Sequence, residues 1–122
     1  MKKIVGGRIK SVKYVFIGMW KLISTEHAII SQIILFTPLI FLGFYFGISR
    51  IEWAIQFFCL ALILTAESLN TAIEKLCDFV HPDFHHKIGF IKDVSAGASG
   101  FAVLISLLIA LLVYYPYIAT MF

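Results

Sequence analysis

The sequence predicts an all-α membrane protein, because its apolar residues are too many and too continuous for a soluble domain. Of its 122 residues, 61% are hydrophobic and only 14% are charged, and the mean hydropathy is +0.95, far outside the range of soluble globular domains. Three apolar runs are each long enough to cross a bilayer core of about 30 Å. We predict one membrane domain, 1–122, with a surface helix at 1–25, membrane helices at 28–48, 51–78 and 93–118, and a connection at 79–92.

The basic residues predict the orientation of the chain in the membrane. Six of the ten Lys and Arg residues precede the first membrane helix, and three lie around the connection 79–92. Because the cytoplasmic segments of membrane proteins are enriched in Lys and Arg, we expect the N-terminus and this connection to lie in the cytoplasm. The positive charge there suits anionic lipid headgroups, and we expect no binding to nucleic acid.

The segment 1–25 mixes basic and apolar residues at helical spacing, which is typical of a helix that lies in the headgroup plane. Its apolar residues share one broad face, with Trp20 and Tyr14 as anchors at the membrane interface. Two interpretations stay open at this point. The helix is either a plain surface anchor or one wall of a site that faces lipid.

The start of the first membrane helix contains one carboxylate, Glu26. Ser24 or Thr25 can cap this helix, and Glu26 then falls in its first turn, where the positive end of the helix favours a negative charge. One interpretation of Glu26 is a capping charge. The other is a functional residue, because it lies at the level where the second membrane helix leaves the membrane.

The second membrane helix carries acidic and amide side chains on one stripe. At 100° per residue, Glu67, Asn70, Glu74 and Asp78 lie within about 80° of one another. A carboxylate at membrane depth costs at least a few kcal/mol unless it is paired, protonated or bound to a cation. Three carboxylates on one stripe therefore indicate a function.

The third membrane helix begins with polar and small residues. Small residues four positions apart, such as Ser95 and Ser99, permit close contact with a neighbouring helix in lipid. We expect this contact to hold Lys92 close to Glu74 and Asp78. The connection before this helix contains three histidines and Asp83, but their spacing matches no closed structural metal site.

Carboxylate oxygens from two helices at a water interface are ligands that suit Mg²⁺, which often shares its coordination shell with phosphates. This arrangement predicts phosphoryl transfer, which needs a metal, a cation for the transferring oxygens and a base for the acceptor hydroxyl. Glu26 and Glu74 could bind the metal, and Lys92 could supply the cation. Glu67 lies about 10 Å deeper than Glu74, where it could take a proton from a lipid hydroxyl.

The sequence contains neither of the common glycine-rich nucleotide-binding motifs. Any nucleotide must therefore be held by a different arrangement. Three membrane helices are also too few to enclose both a nucleotide and a lipid. We therefore expect a homo-oligomer with the site between subunits.

These residues resemble the small prokaryotic diacylglycerol kinases, a family that includes the undecaprenol kinases. The resemblance runs from about Tyr14 to the end of the third membrane helix. Its most specific parts are Glu67-x-x-Asn70-Thr71-Ala72-Ile73-Glu74-x-x-x-Asp78 and Lys92-Asp93-x-Ser95-Ala96-Gly97-Ala98.

The resemblance implies a homotrimer in the bacterial cytoplasmic (inner) membrane that uses ATP and Mg²⁺ to phosphorylate a lipid hydroxyl at the cytoplasmic face. It implies that Glu67 is the catalytic base and contacts the lipid, with Asn70 and Asp78 in support. The implied metal ligands are Glu26 and Glu74. The implied nucleotide contacts are Tyr14, Glu26, Glu74, Asp83, His85, Lys92 and Asp93.

The leading prediction is a kinase that converts diacylglycerol to phosphatidic acid, with undecaprenol as the alternative acceptor. From another class of protein, the acidic stripe would suit a cation or proton path. Such a path needs polar residues beyond Glu67 on the same face, where only Gln56 is polar. A structural subunit without chemistry is the third interpretation, and it predicts that Glu67→Gln has no effect.

Overall fold

The computed structural model describes residues 1–122, which form four α-helices and no strands. The helices are α1 (Lys2–Thr25), α2 (His27–Phe46), α3 (Arg50–Val80) and α4 (His86–Ala119). The last three are long and apolar enough to cross a membrane. The predicted fold class, an all-α membrane protein with three spanning helices after an N-terminal helix, is confirmed.

A single extended residue, Glu26, separates α1 from α2. The prediction that Ser24 or Thr25 caps α2 is wrong, because α1 continues through both residues. The Ser24 hydroxyl donates to the Trp20 carbonyl at 2.6 Å and the Thr25 hydroxyl to the Lys21 carbonyl at 2.5 Å, so both satisfy carbonyls of the preceding turn. No residue of α1 is buried, and its neighbours in the bundle belong mainly to α2.

The turn between α2 and α3 depends on glycine and serine. Gly47 ends α2 with a left-handed backbone (φ 61°, ψ 49°), a conformation that glycine adopts without a Cβ clash. Ser49 caps α3 by accepting a hydrogen bond from the Glu52 N–H at 3.2 Å. Near this turn α2 and α3 approach closely, because a Cβ on Gly43 would lie only 2.7 Å from the Trp53 ring.

The most extensive packing joins α3 and α4. These helices are antiparallel, and contacts near both ends fix their alignment: Lys92 lies against Asp78, and Tyr114 against Gln56. Buried serines of α4, including Ser99, lie along this helix. The predicted contact through small residues of the third membrane helix is therefore present at Ser95 and Ser99, whereas a Cβ added at Gly100 would meet nothing within 4 Å.

The connection between α3 and α4 is shorter than the predicted 79–92. It comprises only 81–85, because α4 begins at His86. The His85 ring accepts a hydrogen bond from the Lys87 N–H at 3.0 Å and so caps the helix, while Pro82 follows the end of α3 and cannot continue it. Lys92 consequently lies within α4 and not at its start.

Few residues of the isolated chain are shielded from its surroundings. Only 12 of 122 residues are buried, and large apolar side chains on α2, α3 and α4 remain exposed. Surfaces of this kind contact lipid or other membrane helices.

Candidate functional site

Two ends of the bundle differ in chemistry. The charged end is the region where the N-terminal ends of α2 and α4 meet the C-terminal end of α3. The aromatic end is the region that contains the α2–α3 turn and the C-terminal end of α4. The residues that the sequence predicts to be functional lie mainly toward the charged end.

Two ion pairs join the helices at the charged end. Lys75 Nζ lies 3.2 Å from Glu26 Oε1, which links α3 to the start of α2. Lys92 Nζ lies 2.5 Å from Asp78 Oδ1, which links α4 to α3. The expected proximity of Lys92 and Asp78 is confirmed. Sequence reasoning missed Lys75, although its position directly after Glu74 placed it at the depth expected for Glu26.

A hydrogen bond along α3 orients a predicted metal ligand. Asn70 Nδ2 donates to Glu74 Oε1 at 3.1 Å, across the four-residue spacing that brings side chains together on a helix. The other end of the same amide, Asn70 Oδ1, is buried and has no hydrogen-bond partner. Asn70 is therefore fixed on one side and free to accept on the other.

Glu67 lies about two helical turns from Glu74 and is half-buried. No hydrogen bond or ion pair involves its carboxylate; the ion pairs of the chain are those of Lys75 and Lys92. The carboxylate is thus available to a substrate. Replacing it with an amide would break no hydrogen bond or ion pair within the chain.

The connection 81–85 places two histidines beside each other. His81 Nδ1 lies 2.7 Å from the Asp83 carbonyl oxygen, to which it donates in one tautomer, and the His81 and His85 rings are 5.4 Å apart. Asp83 and His85, both predicted to contact the nucleotide, are exposed. No three His, Cys, Asp or Glu residues of the chain lie close enough to hold a metal together.

Two predicted nucleotide contacts stay apart from the ion pairs. Tyr14 is exposed on α1 and Asp93 is exposed on α4, and neither forms a side-chain hydrogen bond or an ion pair with Glu26, Glu74 or Lys92. One chain therefore brings together only part of the predicted site.

The donor set nevertheless fits Mg²⁺, since this ion prefers oxygen ligands and usually keeps several waters. Glu26 and Glu74 offer carboxylate oxygens at the charged end. These residues would hold the ion, with nucleotide phosphates and water as the remaining ligands.

The face outward from Glu67 does not continue as a polar path. Gln56, the polar residue there, is buried; its Oε1 accepts from the Tyr114 hydroxyl at 2.5 Å and its Nε2 donates to the Leu39 carbonyl at 3.3 Å. Both ends of its amide are therefore occupied within the protein. This arrangement gives no support to a cation or proton path.

Comparison with known proteins agrees with this geometry. The family described as prokaryotic diacylglycerol kinase matches residues 13–114, from the second half of α1 to near the end of α4. The chain is also similar to the undecaprenol kinase of Bacillus subtilis (strain 168), with 32% identity over 99 residues, or 81% of this chain and 80% of that protein. The chain therefore belongs to the prokaryotic diacylglycerol kinase family and is a membrane lipid kinase.

Proposed function

We propose that the protein transfers the γ-phosphoryl group of ATP to the hydroxyl of a membrane lipid at its charged end. Kinases of this family use ATP with a divalent metal, and we propose Mg²⁺ because Glu26 and Glu74 are hard oxygen ligands. The main support is that paired charges from three helices gather at the charged end, while the unpaired Glu67 lies deeper on the same stripe of α3 as Glu74 and Asp78. When bound, the metal would neutralise the nucleotide phosphates.

In the proposed reaction, Glu67 takes the proton from the lipid hydroxyl as the hydroxyl oxygen forms a bond to the γ-phosphorus. The bond from that phosphorus to the bridging oxygen breaks, and ADP leaves. Lys92 stabilises charge on the transferring oxygens, and Asp78 holds Lys92 in place through their ion pair. Asn70 holds Glu74 through the hydrogen bond of its amide.

We place the charged end in the cytoplasm of a bacterium, with the protein in the inner membrane. Six of the ten Lys and Arg residues lie on α1, which joins the bundle at the charged end, and three lie on α3 and α4 near that end. The aromatic end carries only Arg50. This asymmetry is typical of a cytoplasmic surface, where ATP is available.

We further propose a homotrimer with sites between subunits. Tyr14, Asp83 and His85 make no contact with the ion pairs within one chain, so a neighbouring subunit offers a way to complete the site. The exposed apolar side chains of the three long helices give such neighbours a surface to pack against.

The lipid acceptor has two candidates. The family description names diacylglycerol, which the sequence also puts first, whereas the similar protein from Bacillus subtilis is named for undecaprenol. Because that similarity covers four fifths of both chains, undecaprenol is at least as well supported. We take undecaprenol as the first acceptor to test and diacylglycerol as the second.

The test is phosphate transfer from labelled MgATP by the purified full chain in detergent–lipid micelles, with undecaprenol and diacylglycerol offered in parallel. We expect transfer to one lipid in preference to the other, and none by the Glu67→Gln variant. A folded oligomer that phosphorylates neither lipid would contradict the proposal. Equal turnover by the Glu67→Gln variant would contradict the role of Glu67 alone.

A further inference from the structure

Two buried polar atoms of the chain have no hydrogen-bond partner: Asn70 Oδ1 on α3 and Ser99 Oγ on α4. Ser99 is 4% exposed. A buried polar group without a partner costs free energy that folded proteins usually avoid. Two such groups on adjacent helices therefore call for a common explanation.

The alignment of α3 and α4 places Asn70 and Ser99 at the same level of the helix pair. Lys92 contacts Asp78 and Tyr114 contacts Gln56. Because the two helices are antiparallel, each residue further along α4 lies opposite one residue earlier on α3. Along this alignment Ser99 lies opposite Thr71, the neighbour of Asn70. Thr71 and Ser99 are both buried, as expected for residues at the contact between the helices.

The two groups are also chemically complementary. Asn70 already uses its Nδ2 to donate to Glu74, so its Oδ1 can only accept a hydrogen bond. The Ser99 hydroxyl can donate one. Each atom thus offers what the other lacks.

We propose that Ser99 is a positioning residue whose hydroxyl donates to a water that in turn donates to Asn70 Oδ1, and that this bridge orients Asn70 toward Glu74. An amide that turned over would point its oxygen at the Glu74 carboxylate, and the two acceptors would repel each other. A donor on the far side of the amide prevents this reversal. α4 then helps to set the position of a carboxylate on α3.

This inference rests on the proposed role of Glu74 in binding the metal. The competing arrangement is local, since a helical serine can donate to the carbonyl four residues earlier, here that of Ser95. In that case Ser99 and Asn70 would act independently. Measuring their energetic coupling distinguishes the two arrangements.

The experiment measures Mn²⁺ binding by electron paramagnetic resonance, using the full chain in lipid nanodiscs with a non-hydrolysable ATP analogue. We expect Ser99→Ala to weaken Mn²⁺ binding roughly 3- to 10-fold, the effect of one hydrogen bond, and Ser99→Thr to restore it. Ser99→Ala should add nothing in an Asn70→Ala background. The matched control is Ser106→Ala, another buried serine of α4, which should leave binding unchanged.

Multiplicative effects of Ser99→Ala and Asn70→Ala would overturn the inference, as would a Ser99→Ala variant that binds Mn²⁺ like Ser106→Ala. The Glu74→Gln variant separates this failure from failure of the proposed function. If Glu74→Gln binds Mn²⁺ normally, the proposed metal ligand is wrong and the inference fails with it. If Glu74→Gln alone weakens binding, only the role of Ser99 is wrong.

Discussion

The charged end and the aromatic end of the bundle join the same helices by different interactions. At the charged end, the Lys75–Glu26 and Lys92–Asp78 pairs leave their lysine side chains 68% and 36% exposed. At the aromatic end, Tyr114 is only 4% exposed and its neutral hydroxyl donates to buried Gln56.

This difference indicates which end of the bundle stabilises the helix packing and which end has charged side chains that can leave their partners to bind a ligand. An exposed ion pair contributes about 0–1 kcal/mol, so its charges can turn to a phosphate or a metal at little cost. A buried hydrogen bond keeps polar groups satisfied where water does not reach. We therefore propose that ligands bind at the charged end and that the aromatic end stabilises the helix packing.

The largest expected effect separates two carboxylates of α3. Glu67→Gln should lower kcat by about 10² to 10⁴, the usual contribution of a general base, without lowering stability, because the Glu67 carboxylate forms no hydrogen bond or ion pair within the chain. Glu52→Gln should keep kcat, although it weakens the hydrogen bonds from Tyr117 at 2.8 and 3.0 Å. Phosphate transfer and thermal unfolding measure both. Equal loss of activity in the two variants would show that the two ends do not differ in their importance for catalysis.

The next effect concerns two lysines of α4. Lys92→Ala should lower kcat/KM for ATP roughly 10- to 100-fold, the effect of losing a hydrogen bond between charged groups, with a smaller change in KM for the lipid. The control is Lys87→Ala, which removes a lysine from the first turn of α4 that forms no ion pair. Steady-state kinetics at varied ATP separates the variants, and matching kcat/KM values for ATP would remove Lys92 from the nucleotide site.

A smaller effect tests the aromatic end. Tyr114→Phe should lower the free energy of unfolding by about 1 kcal/mol, a typical value for a hydrogen bond between membrane helices, because it removes the donor to Gln56. Tyr115→Phe is the control, since Tyr115 is exposed and forms no side-chain hydrogen bond. Unfolding by sodium dodecyl sulfate measures stability. A change in KM for ATP without a change in stability would show that this end takes part in binding.

The smallest effect is expected for Lys75→Gln. Loss of its exposed pair with Glu26 should change the free energy of unfolding by less than about 1 kcal/mol, and added salt should reduce the difference further because it screens exposed charges. Unfolding at low and high ionic strength measures both. A loss of several kcal/mol would mean that the charged end also holds the bundle together.

The candidate site could be predicted only in part from the sequence. The helical period alone put Glu67, Asn70, Glu74 and Asp78 on one stripe, because positions within a helix are fixed by its geometry. The same periodicity could not show that Lys75 pairs with Glu26. That contact depends on how α2 and α3 lie against each other.

The boundaries of the helices show the same limit. Apolar runs predict where a chain crosses the membrane, but α4 extends beyond its apolar run to His86, where the His85 ring accepts a backbone hydrogen bond. Likewise α1 continues through Ser24 and Thr25, whose side chains also have the chemistry of caps. The Ser24 and Thr25 hydroxyls could either cap α2 or donate to carbonyls within α1, so the residue types alone do not determine where α1 ends.

The all-α membrane class, the three spanning helices and the acidic stripe could all be predicted from the amino-acid sequence, because apolar length and helical period are properties of one chain segment. The contacts between Asp78 and Lys92 and between Gln56 and Tyr114, and the burial of Ser99 Oγ without a hydrogen-bond partner, are visible only in the tertiary structure. These contacts depend on the alignment of α3 with α4. That alignment results from packing over the whole length of both helices and is not contained in either helix alone.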